Sequence, residues 1–147
     1  IEYTPVLLDS LLAQAGAAPV GWSREQPRHE GPLADTGDPV LDVLADALRF
    51  YFEFHDDYDQ GYVAHLHDLF AAQAATGQAV VTTSATVVDV EAESELLRGT
   101  TVHDDRGIWG RRPNARRVTG NDPDAVFAAF AQAARAAAGD VGSSARR

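Results

Sequence analysis

Three of the five histidines, His55, His65 and His67, and four acidic residues, Asp56, Asp57, Asp59 and Asp68, fall within residues 55–68. Imidazoles beside carboxylates can do two kinds of chemistry, general acid and base catalysis or coordination of a divalent metal. The candidates for acid-base work are His55, His65 and His103, with Asp59 as the nearest carboxylate. The candidate metal ligands are His55, Asp59, His65, Asp68 and His103. Cysteine and lysine are absent, so thiol and Schiff-base chemistry are excluded by composition, and no Gly-x-Ser-x-Gly elbow is present.

Spacing restricts each possibility. His65 and His67 are two apart, and on a helix such residues point about 200° away from each other. The apolar period Tyr62, Val63, Leu66, Leu69, Phe70 predicts a helix over residues 62–75, which separates the pair. His55 with Asp59, or His65 with Asp68, shares one helical face but supplies only two ligands, so a zinc site would need His103 or Asp104 to converge on it. A calcium loop starting at Asp57 fails where it needs glycine, since the sixth position is Tyr62, and Asp68 replaces the glutamate at the twelfth. Asp89, Glu91 and Glu93 alternate on an expected strand and read as one exposed polar face.

The elements that must position these groups are announced locally. Thr4-Pro5, Asp38-Pro39 and Asp122-Pro123 each pair an N-cap residue with proline at the first helical position, predicting helices that start at Pro5, Pro39 and Pro123. The first buries Leu7, Leu8, Leu11, Leu12 and Ala15 and stops at Gly16. The second, to about Phe54, is apolar on most of its circumference, including Val43, Phe50 and Phe54, and leaves Asp42, Asp46, Arg49 and Glu53 as a solvated strip. Between them, residues 17–37 form a long Pro- and Gly-rich loop pinned by Trp22. The β-branched run at residues 79–90 predicts a strand, with further extended segments at 96–102, 107–112 and 116–119. The last helix runs to about Ala138.

These elements predict an α+β fold: a helix hairpin with N- and C-terminal helices packed on a small antiparallel β meander, one domain over residues 1–141 with a disordered tail at 142–147. No apolar run approaches the roughly 20 residues that span a bilayer. The first residue is Ile1, which leaves a removed leader open, and the location expected is cytoplasmic.

Charge is unevenly spread. The formal net charge is -10, which disfavours nucleic acid as a partner. Residues 98–117 nevertheless hold six arginines against two aspartates, and Arg106, Trp109, Arg111, Arg112, Arg116 and Arg117 form a candidate binding patch. With no complete catalytic set, the leading expectation is a non-enzymatic, acidic protein-interaction module of adaptor, secretion-chaperone or toxin-neutralising type, with a protein partner and no cofactor. The alternative is a small-molecule enzyme or binding protein using His/Asp acid-base or metal chemistry in a pocket between the helix hairpin and the sheet. A divalent metal, a small-molecule ligand and a homo-oligomer stay open.

Overall fold

The computed structural model describes residues 1–26 and 33–144. Four helices and two small antiparallel sheets make the class α+β, as expected. The chain divides into two compact units, Ile1–Ala79 with Pro123–Arg147, and Val80–Asp122.

In the first unit, β1 (Glu2–Tyr3) leads into α1 (Pro5–Gln14), followed by α2 (Pro39–Asp57), β2 (Ala64–His65), α3 (His67–Ala75) and, after the second unit, α4 (Pro123–Ser144). All three proline-marked starts are found where local chemistry placed them. Thr4 Oγ1 accepts from the Leu7 amide, and Asp38 Oδ1 accepts from the amides of Val40 and Leu41 at 2.9 and 3.2 Å. Gly16 ends α1 at a φ of 79°, a conformation that costs glycine nothing. α4 continues through Gly139 to Ser144, so the three tail residues 142–144 are helical; residues 145–147 lie outside the described residues.

Leu8, Leu11, Leu12, Leu41, Ala45, Leu48 and Phe52 form the centre of the core, with Trp22 from the loop and Ala131 and Ala134 from α4. The Tyr3 ring meets Phe127 and Phe130 edge-on at 5.2 and 5.7 Å, while its hydroxyl donates to the Leu7 carbonyl. Burial pushes that phenol's pKa up. Among the described residues no helix is long and apolar enough to cross a membrane.

Two expectations about α2 are corrected. It packs on α4 and β2, and makes no hairpin with α3. Its polar strip is also the covered side: Arg49 and Glu53 are buried, while Val43, Phe50 and Phe54 are exposed. The reason lies in the 17–37 loop, whose backbone needs acceptors. Asp46 takes the Ala34 amide, and Asp42 takes both the amide and the hydroxyl of Thr36. Trp22 lies 4.6 Å from the Arg49 guanidinium, which pairs with Glu53 at 2.9 Å. Residues 27–32 of this loop lie outside the described residues.

The second unit holds β3 (Val81–Val90), β4 (Thr101–Asp104) and β5 (Ala115–Asn121). The order is β4-β3-β5 rather than the successive pairing of a meander. β5 pairs with the first half of β3 and β4 with the second, on the opposite edge. Just before β5 begins, the Asn114 side chain extends the ladder: Oδ1 accepts the Val88 amide at 2.8 Å and Nδ2 donates to the Val88 carbonyl at 2.9 Å. The extended segments expected at 96–102 and 107–112 are turn or irregular, and only Thr101 and Val102 of them are strand.

Candidate functional site

The end of α2 and the start of α3 bring three histidines together. Asp59, at a φ of 57°, and Gly61, at 88°, reverse the chain after α2, and the Gln60 amide closes the turn on the His55 carbonyl. The chain then pairs with the N-terminal residues, Tyr3 opposite Ala64 and Glu2 opposite His65. His65 therefore sits on a two-residue strand, not inside a helix, and α3 begins only at His67. The helical geometry expected to separate these two imidazoles does not apply.

The His55 and His65 rings stack with centroids 4.5 Å apart and planes 24° from parallel, and His67 meets His65 perpendicularly at 5.7 Å. His55 is buried, and its Nδ1 lies 2.8 Å from the Tyr51 carbonyl. A carbonyl only accepts, so Nδ1 carries the hydrogen and Nε2 of the neutral ring is left with a free lone pair. The His65 Nε2 is buried without a hydrogen-bond partner. Tyr51, at 5.9 Å, and Phe54, edge-on at 5.4 Å, wall His55, and His67 is exposed at the outer end of the row. Behind His55, Arg24 pairs with the buried Asp56 at 3.0 Å, tying the loop to the last turn of α2.

Such a row offers flat rings for stacking and imidazole nitrogens for proton transfer. Asp59 and Asp68 are exposed, Asp59 in the turn and Asp68 in the first turn of α3. Among the described residues no group of three or more His, Asp or Glu side chains is placed to hold a metal ion. His103 belongs to the second unit, where its Nε2 lies 3.2 Å from Asp105.

Three arginines of the candidate patch pair inside their own sheet. Arg111 forms a two-pronged pair with Asp89, Arg117 pairs with Asp105 at 2.6 Å, and Arg116 donates to Thr83 Oγ1 at 2.6 and 3.0 Å. The Arg111 guanidinium holds the Asp89 carboxyl below its ordinary pKa. Asp104 is likewise lowered, chiefly by the Trp109 amide 2.7 Å away, and Arg106 gives its own amide to the same carboxylate. The Arg111 guanidinium stands 6.0 Å from the Trp109 ring. Arg112 is exposed.

Residues 8–128 match the family model described as inosine-uridine preferring nucleoside hydrolase. The chain belongs to this family. Pyrimidine-specific ribonucleoside hydrolase RihA of Salmonella typhi is 35% identical over 82 residues, which is 55% of this chain and 26% of that protein. RihA of Salmonella paratyphi B matches to the same extent, and that of Salmonella choleraesuis is 34% identical over 82 residues. The matched stretch thus spans about a quarter of the length of these relatives.

Membership in a hydrolase family overturns the reading of a non-enzymatic interaction module with a protein partner and favours the small-molecule alternative. Two signals misled. Missing Ser, Cys and Lys motifs exclude covalent catalysis by those groups, but a hydrolase that uses water needs none of them. The Arg/Trp run carried the protein-partner reading, although Arg111 pairs with Asp89 of β3 and Arg117 with Asp105, twelve residues before it. In the sequence alone His67 reads only as half of a His-x-His pair. The break between β2 and α3 that brings it to the end of the row depends on pairing with β1, which no nearby residue signals.

Proposed function

We propose that this chain supplies the histidine-bearing part of a ribonucleoside hydrolase. The observation that carries the reading is the row His55, His65, His67, stacked at 4.5 Å and then turned perpendicular at 5.7 Å, against the rings of Tyr51 and Phe54. Flat rings, some of them partly exposed, suit a nucleobase, which stacks on aromatic faces irrespective of its hydrogen-bonding edge. By analogy with its pyrimidine-specific relatives, the substrate class is pyrimidine ribonucleosides such as uridine.

In the hydrolysis, the bond between C1′ of the ribose and the base nitrogen breaks, and its electron pair leaves with the base. Water adds to C1′ and gives up one proton, while the departing base gains one. The transition state is electron-poor at the sugar, as in other glycoside cleavages. An imidazole within reach of the base stabilises departure by giving it a proton, and His67 is the exposed member of the row. His55 holds its Nδ1 hydrogen on the Tyr51 carbonyl and so keeps its ring fixed for stacking.

Asp68, next in the first turn of α3, and Asp59, in the turn before it, are exposed carboxylates that would be available to a divalent cation. A hard cation such as calcium takes six to eight oxygens, so the rest of its shell would come from outside the described residues.

The test is a uridine titration of the 147-residue chain, following the histidine ring resonances by NMR. Signals of His55, His65 and His67 are expected to move together with one saturation curve, and those of His103 to stay still. Histidine signals indifferent to uridine up to its solubility limit would sink the reading.

A further inference from the structure

The second unit holds a cavity of its own, of about 410 Å³, where the end of β3 and the start of β4 meet the turns beside them. That volume lies within the range of small-ligand pockets. Its apolar walls are Val90, Leu97, Val102 and Trp109, each between 41% and 57% exposed, so the lining is open to a ligand and not collapsed on itself.

Two carboxylates build these walls. Glu91 Oε1 accepts the amides of Glu93 and Ser94 at 2.8 and 2.9 Å, and the Gly99 amide closes the turn on the Glu91 carbonyl. Asp104 in turn accepts the amides of Arg106 and Trp109 at 3.2 and 2.7 Å, which folds the loop that carries the indole. Hydrogen bonds to ionised acceptors are the stronger kind, so both walls are set before any ligand arrives.

The charge of the lining is one-sided, with the carboxylates of Asp89 and Glu91 and no basic residue. Arg111 neutralises Asp89 by its two-pronged pair and stands 6.0 Å from the Trp109 ring, so a guanidinium is already accommodated beside both a carboxylate and this indole. Glu91 has no such counterion. The amides of Ser94 and Glu93 hold its carboxyl below the ordinary pKa, which keeps it ionised, and among the described residues its Oε2 has no partner. A free carboxylate oxygen and an indole face both attract positive charge, the aliphatic walls take a hydrocarbon body, and an anion is repelled.

We infer that this cavity binds a small primary ammonium ion with an apolar body, its ammonium group at Glu91 Oε2 and its body against Trp109, Leu97 and Val102. Every residue of the site belongs to the second unit, so the inference stands apart from the hydrolase reading.

The experiment titrates the 147-residue chain at neutral pH with three probes of similar shape, phenethylamine as the cation, phenethyl alcohol as its uncharged counterpart and phenylacetate as the anion. The readout is the pair of indole N–H resonances, assigned by Trp109→Phe. With phenethylamine the Trp109 signal is expected to move and saturate with a dissociation constant on the order of 1 mM or tighter, at least about tenfold below that of the alcohol. Phenylacetate should leave it still, as should all three probes the signal of Trp22, a core residue of the first unit. Glu91→Gln keeps an acceptor for the turn amides and removes the charge, and is expected to weaken amine binding about tenfold or more. Trp109→Ala leaves the backbone amide on Asp104 and is expected to abolish the saturable shifts of the Leu97 and Val102 amides, a second check should Glu91→Gln disturb the turn. Equal responses to the three probes, a Trp109 signal indifferent to the amine up to its solubility limit, undiminished binding by Glu91→Gln, or shifts that persist in Trp109→Ala overturn the inference.

Discussion

The imidazoles of His55 and His65 lie face to face at 4.5 Å, although one ends a helix and the other sits on a strand paired with the N-terminus. Their juxtaposition depends on that pairing. Tyr3 and Ala64 are both fully buried in the core, so the strand that fixes His65 is anchored by packing as well as by hydrogen bonds.

Removing the anchor should therefore disperse the site. Tyr3→Ala empties a buried ring position against Phe127 and Phe130 and is expected to cost about 3–5 kcal/mol, the usual range for a large-to-alanine change at an aromatic. Urea unfolding measures the loss. Under conditions where the variant is still folded, the mutual ring-current shifts of His55 and His65 should collapse. Persistence of those shifts would show that β1 does not position His65.

His67→Ala and His67→Gln separate proton transfer from packing, because His67 is exposed and its removal opens no cavity. Stability is expected to stay within about 0.5 kcal/mol. Under the proposed function, uridine hydrolysis should fall by roughly 10²–10⁴ for both variants, the ordinary contribution of a positioned acid. Equal rates in the unaltered and His67→Ala proteins would remove His67 from the proposed chemistry.

Acid should loosen the loop before it melts the core. The Asp42 carboxyl is held below its ordinary pKa first by the Thr36 amide and then by the Thr36 hydroxyl. A group depressed on folding stabilises the fold fully above its unfolded pKa, about 4, and loses that contribution as pH falls through the lower folded value. Amide exchange at Thr36, corrected for its intrinsic pH dependence, should therefore accelerate below about pH 4. Asp42→Asn should remove the pH dependence; an unchanged profile counts against the contact.

Asn114 predicts a local effect in the second unit. Its amide makes both hydrogen bonds to Val88 just before β5 begins, so Asn114→Ala is expected to cost about 0.5–1.5 kcal/mol per bond lost, or less where water replaces it. Asn114→Asp retains the acceptor and loses the donor, and should fall between. Hydrogen exchange at the Val88 amide is the measurement, and equal protection in all three proteins would refute the ladder role.

The sequence by itself determined the parts that depend on neighbours along the chain. Thr4-Pro5, Asp38-Pro39 and Asp122-Pro123 marked three helix starts, the Leu8, Leu11 and Leu12 stripe marked a buried face, and residues 79–90 marked the long strand, because caps, period and β-branching act within a turn or two. Tertiary structure decided everything that needed a remote partner. His65 is strand and not helix because Glu2 and Tyr3 pair with it; Asp42, Asp46 and Glu53 are covered because the loop needs acceptors and Trp22 lies over Arg49. Arg111 and Arg117 close on Asp89 and Asp105 because β4 and β5 flank β3. The apolar outward face of α2 and the row of three histidines follow from those long-range choices: a side chain's type is written locally, but the surface it meets is set by segments far away in the chain.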